Sequence, residues 1–187
     1  MRGVFVSARL LAFLLVVAWT ALASTPVLAQ KGPTVLTVAG KIAKTNRGAL
    51  APSADIYFSH LDIEFDKAYQ FDTAALAALG MHKLSATYPG SAEKVEVEGP
   101  LLADVLKAVG AKGETVVAVA LDGYSAEIPM SDVTDFPIVL ALKSNGKWLG
   151  LGGRGPTWVV YPQDDYPALK DRDDSLWVWS AFFILVD

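Results

Sequence analysis

The residues best suited to chemistry lie in Gly152-Gly153-Arg154-Gly155-Pro156-Thr157-Trp158, a glycine-rich loop that carries one arginine. Backbone amides in such a loop can face an anion, and a guanidinium adds a rigid fork of donors. The spacing matches neither a P-loop nor a dinucleotide fingerprint, which need the glycines between a strand and a helix. Here the loop leads into 157–161, an apolar run that reads as a strand. A surface turn with flexible glycines therefore stands beside the ligand-contact reading. Asp164, Asp165, Asp171, Asp173 and Asp174 follow. They lack the alternating oxygen positions and the glycine turn of a calcium loop, and read as a solvated acidic loop.

Two histidines are present, His60 and His82, and neither has a neighbouring nucleophile. His60 and Asp62 fall on one side of what reads as a strand, within reach of pairing. Ser59, Ser85 and Ser125 lack the context of a nucleophile elbow. No catalytic residue is assigned on these grounds. Trp148, Trp158, Trp177 and Trp179 can wall a pocket for a flat ligand, although aromatics in strands more commonly fill a core.

Composition narrows the chemistry further. The 187 residues include no cysteine, which excludes thiolate nucleophiles, iron–sulfur clusters and thiolate metal sites. No metal-ligand set is assigned. Arg2 and Arg9, the apolar run 10–19 and the small residues up to Val27-Leu28-Ala29 read as a signal peptide, residues 1–29, cleaved before Gln30. The absence of cysteine also argues against a lipoprotein anchor. Without Arg2 and Arg9, 14 basic residues face 20 acidic ones, a net charge of about −6. That charge disfavours nucleic acid and anionic lipid as partners. Residues 30–187 are expected to form one domain in the periplasm or outside the cell, with no membrane insertion after cleavage.

Several elements must position these residues. Val35–Gly40 alternates and reads as a first strand. Residues 56–65 read as a strand, and 72–79 as a short helix stopped by Gly80. His82–Tyr88 and Lys94–Glu98 alternate around a Pro89-Gly90 turn. Pro100 opens the best helix, Leu101–Val109, with Leu102, Val105, Leu106 and Val109 in one stripe. Residues 115–121 and 125–129 flank Asp122-Gly123-Tyr124 as a hairpin. A single helical turn at 131–133, a strand at 137–142, an Asn145-Gly146 turn and a C-terminal strand at 177–186 complete the chain. Strands outnumber helices, giving an α+β class.

Four segments in order resemble the sulfite-oxidase-type molybdopterin-binding domain. They are Phe71–Leu79, Glu98–Gly110, Asp122–Pro129 and Gly155-Pro156-Thr157-Trp158-Val159-Val160-Tyr161-Pro162. The resemblance implies a mixed-sheet fold in a reduced single domain. In the full family it implies a pterin-bound molybdenum centre that transfers oxygen atoms. That metal is held by a cysteine in the loop after the strand equivalent to Lys83–Thr87. Here the loop reads Ala86-Thr87-Tyr88-Pro89-Gly90-Ser91, and the short span from Thr87 to Glu98 leaves little room to cover a long pterin. The expectation is an exported, non-catalytic domain without a cofactor, binding a small molecule or a periplasmic protein partner in the ancestral cleft. Arg154, Trp158, Tyr161 and Trp177 are its expected cleft residues, with His82 and Tyr88 on the former metal side. The alternative is a molybdopterin-dependent oxidoreductase whose metal takes oxygen from Tyr88 or Ser91.

Overall fold

A computed structural model describes residues 32–187; the segment read as a signal peptide, 1–29, lies outside the described residues. In chain order the elements are β1 (Thr34–Gly40), α1 (Ile56–His60), β2 (Ala68–Asp72), α2 (Thr73–Ala77), β3 (His82–Thr87), β4 (Lys94–Gly99), α3 (Leu102–Val109) and β5 (Thr115–Ala120). Then follow β6 (Ser125–Pro129), α4 (Met130–Asp135), β7 (Val139–Ala141), β8 (Lys143–Ser144), β9 (Lys147–Trp148), β10 (Trp158–Val160), a 3-10 turn at Pro167–Leu169 and β11 (Ala181–Val186).

The main sheet has the order β2-β1-β11-β5-β6. β11 lies parallel to β1 and antiparallel to β5, so the expected mixed sheet is observed. The last strand thus closes the sheet between elements from the first and middle parts of the chain. β3, β4, β8 and β9 form a second, antiparallel sheet, and β10 pairs with β7. Alternation in β5 buries Val116, Ala118 and Ala120 on one face. In α3 the stripe Leu102, Val105, Leu106 and Val109 is buried as its spacing requires, and Gly110 ends the helix at φ 65°. The Asp72 side chain caps α2 by accepting a hydrogen bond from the Ala75 amide at 2.7 Å. At Gly99 the chain passes so close to β7 that an added Cβ would lie 2.0 Å from the Leu140 carbonyl oxygen.

Two local expectations are corrected. Residues 56–60 form a helix, not a strand, because the ring of Phe58 packs against Phe65, Phe182 and Phe183 at 5.5, 5.5 and 5.8 Å. This packing overrides the strand preference of Ile, Tyr and Phe. His60 and Asp62 therefore do not share a strand face. The C-terminal strand begins at Ala181 rather than Trp177. Ser180 breaks the run at φ 55°; its amide donates to the Arg154 carbonyl at 2.9 Å and its hydroxyl to that of Gly153 at 3.0 Å. That break turns Trp177 and Val178 into the core and ties the Arg154 loop to the sheet.

Candidate functional site

The end of β3 and the loop beyond β10 enclose a cleft of about 760 Å³, within the usual range for small-molecule sites. Its walls are the 87–91 turn and the 163–167 loop, with Lys94 and Lys170 at hand. The two walls are joined by side chains. Asp164 accepts hydrogen bonds from the Thr87 amide at 3.0 Å and the Thr87 hydroxyl at 2.9 Å. Tyr88 donates its hydroxyl to Asp174 at 2.8 Å. Burial, and then that bond to a carboxylate, pushes the Tyr88 phenol above its ordinary pKa.

Beside Tyr88 stands the loop arginine. The Arg154 guanidinium carbon lies 5.1 Å from the Tyr88 ring centre and 4.5 Å from that of Trp158, both within cation–π range. Its nearest carboxylate, Glu93, is 3.7 Å away, beyond hydrogen-bond distance. Among the described residues the guanidinium makes no hydrogen bond, and its one charged partner is the loosely held Glu93. Trp158 Nε1 is buried without an acceptor. The loop can come this close because Gly155 has no side chain: a Cβ there would lie 2.7 Å from the Leu149 carbonyl carbon. The Gly155–Pro156 peptide is cis.

Of the residues expected at the cleft, four are brought together. Tyr88, Trp158 and Trp177 have ring centres 5.6–6.3 Å apart, with Arg154 resting on two of them. Their roles differ, however. Trp158 is fully buried, so it is a platform for Arg154 rather than a wall of the cleft. Trp177 is buried except where it borders a separate cavity. His82 stands at the opposite end of β3 from Tyr88, roughly 20 Å along the strand at ~3.3 Å per residue. Its Nε2 is 3.9 Å from Asp104 Oδ2. Tyr161 is also withdrawn from the cleft: it is buried and donates to Asp132 at 3.1 Å. Burial, and then the charge of Asp132, drives its phenol far above its ordinary pKa.

Three acidic residues do work that sequence reasoning missed. Asp164 and Asp174, read as solvated, brace the cleft. Asp132, buried, accepts from both Tyr161 and Arg172, and that pairing raises the pKa of the arginine. No local spacing signals partners 77, 86 and 40 residues away.

Comparison with known proteins gives this geometry a family. The profile of the oxidoreductase molybdopterin binding domain matches residues 52–163, more than half of the chain. The chain belongs to the oxidoreductase molybdopterin binding domain family. A solved structure with the same fold is the sulfane dehydrogenase SoxCD from Paracoccus pantotrophus, at 17% identity and a TM-score of 0.56. The match covers 82% of this chain but only 38% of that one. The sequence matches no curated protein.

Membership of a molybdopterin binding family overturns the expectation that this chain takes no cofactor. The residues present fit one part of such a group. Arg154 has donors to spare beside the cleft, and Lys94 and Lys170 line it, which suits the anionic, phosphate-bearing organic part. The metal is less well served, since the sequence has no thiolate to offer. No group of three or more His, Asp or Glu among the described residues could hold a metal ion. In this molybdopterin binding domain the oxygens of the 88–91 turn are already engaged. Tyr88 is bonded to Asp174 with a raised pKa, and Ser91 Oγ accepts from the Glu93 amide at 3.0 Å.

Proposed function

We propose that this molybdopterin binding domain is exported, and that it holds a molybdopterin-class ligand by its organic part without anchoring the metal through a protein ligand. It then acts by binding rather than by oxygen-atom transfer. The observation that carries this reading is the Arg154 guanidinium, paired only loosely with Glu93 at 3.7 Å and fixed on two aromatic rings beside a cleft with two lysines. Fixing the cation in advance lowers the ordering cost of binding an anion. When bound, molybdopterin supplies the dithiolene that carries the metal. The chain itself would grip the phosphate-bearing end through Arg154, Lys94 and Lys170, and exclude water with Tyr88 and Pro89.

Loss of the family's cysteine supports the non-catalytic part of the proposal, because a metal's coordination and potential depend on its protein ligand. Tyr88 is a poor substitute: a phenol with a raised pKa resists becoming the phenolate that a metal would need. Purification from a molybdopterin-producing host, followed by pterin analysis and assays of oxygen-atom transfer, tests the reading. Bound pterin without turnover is expected. Turnover at stoichiometric molybdenum would instead establish the oxidoreductase alternative.

A further inference from the structure

Tyr88 also borders a second cavity, of about 290 Å³. Tyr88, Tyr124, Trp177 and Trp179 line it together with the carboxylates of Asp122 and Asp174. Trp179 and Tyr124 are about half exposed, at 47% and 48%, so their rings are open to a ligand. The phenols are fixed from behind. Tyr124 donates its hydroxyl to the Ser175 carbonyl at 2.8 Å, and Tyr88 donates to Asp174 at 2.8 Å. Asp122 accepts from the Tyr124 amide at 3.0 Å, which fixes the carboxylate on the turn that carries the ring, and both residues line the cavity. Both hydroxyls are thus spent within the protein, and what remains for a ligand is ring surface and negative charge.

Ring surface beside carboxylates is the chemistry that recognises an alkylated ammonium cation: the ring quadrupole attracts the charge and the apolar faces accept the methyl groups. Two nearby cations each have a carboxylate partner, Asp132 for Arg172 and Glu93 for Arg154. Arg154 also rests on the Tyr88 and Trp158 rings. Tyr88 therefore contributes mainly its bonded Asp174, leaving Tyr124 and Trp179 as the accessible faces. The adjoining surface carries Glu127, Asp171 and Asp173, which deepens the negative potential around the mouth.

We propose that this cavity binds a trimethylammonium group of the choline type. The cavity shares Tyr88 with the Arg154 cleft, but its accessible rings, Tyr124 and Trp179, lie outside that cleft, and the proposal does not depend on the function proposed there.

The test is calorimetric and tryptophan-fluorescence titration of the purified protein with choline chloride, against 3,3-dimethylbutan-1-ol as the uncharged isostere. Choline should saturate with the alcohol at least ~10-fold weaker, since charge supplies the discrimination. Trp179→Ala should weaken choline at least ~10-fold, and Asp122→Asn several-fold, with unchanged circular dichroism and urea midpoint. Equal binding of the alcohol, no saturation by choline, or unchanged affinity in a folded Trp179→Ala protein would each overturn the proposal. With choline bound, co-sedimentation on phosphatidylcholine vesicles assigns the group to a lipid head, and its absence assigns it to a soluble molecule.

Discussion

Replacing Asp132 by alanine should cost this fold about 1–4 kcal/mol, and the structure says where the cost arises. Asp132 is 6% exposed and accepts from two donors that differ in their access to water. The Tyr161 hydroxyl, 3.1 Å away, belongs to a residue only 2% exposed, so it loses its acceptor inside the protein. An unsatisfied buried hydroxyl costs about 1–3 kcal/mol. The Arg172 side chain is 38% exposed and can turn to solvent, so its lost pairing adds no more than about 1 kcal/mol. A double-mutant cycle separates the two contributions. With Tyr161→Phe as background there is no hydroxyl to strand, and Asp132→Ala should then cost only about 1 kcal/mol. Urea unfolding of the four proteins, read by tryptophan fluorescence, measures the difference. An equal cost in both backgrounds would refute the reasoning, as would a single-mutant cost below about 0.5 kcal/mol.

Other outcomes follow from the same geometry. Gly99→Ala places a Cβ 2.0 Å from a backbone oxygen that cannot rotate away, so a loss of about 1–3 kcal/mol is expected in a urea midpoint series. The Arg47 guanidinium, hydrogen-bonded to both carboxylate oxygens of Asp55, holds that carboxyl below its ordinary pKa. Because the folded value is depressed, the stabilisation is present above the unfolded value of about 3.9 and is lost as pH falls through the folded one. Asp55→Asn should therefore be less stable than the parent at pH 7, and the gap should close during acid titration. A gap that persists at pH 2 would contradict the ion pair as its source.

Much of the framework is legible in the sequence because it depends on local pattern. The α3 stripe, its Gly110 stop, the β5–β6 hairpin and the Asn145-Gly146 turn each follow from spacing within ten residues. α1 was illegible because Ile56-Tyr57-Phe58 has strand composition, and only Phe182 and Phe183, more than 120 positions away, make the helix the better burial. The break at Ser180 was hidden for the same reason, since its partners are the carbonyls of Gly153 and Arg154. At the cleft, the types of Arg154 and Tyr88 pointed to anion binding and to the missing thiolate position. Their mutual contact, and the bracing by Asp164 and Asp174, are products of topology. Trp158 and Tyr161 illustrate the converse: both are aromatic residues in the right segment, yet burial gives one to a platform and the other to a core hydrogen bond. The absence of a cofactor, expected from the absent cysteine, did not follow, because a single ligand's loss says nothing about donors elsewhere in the cleft.

The central claim rests on Arg154, and Arg154→Ala tests it most directly. The variant and parent would be produced side by side in a molybdopterin-producing host and their pterin content quantified after release from the protein. The side chain is partly buried on the Tyr88 and Trp158 rings, so the variant should lose no more than about 1 kcal/mol of stability and remain folded. Loss of a charge-assisted contact of about 1.5–3 kcal/mol should lower its pterin affinity roughly ten- to hundredfold. Equal pterin occupancy in the folded variant, or none in the parent, would contradict the account.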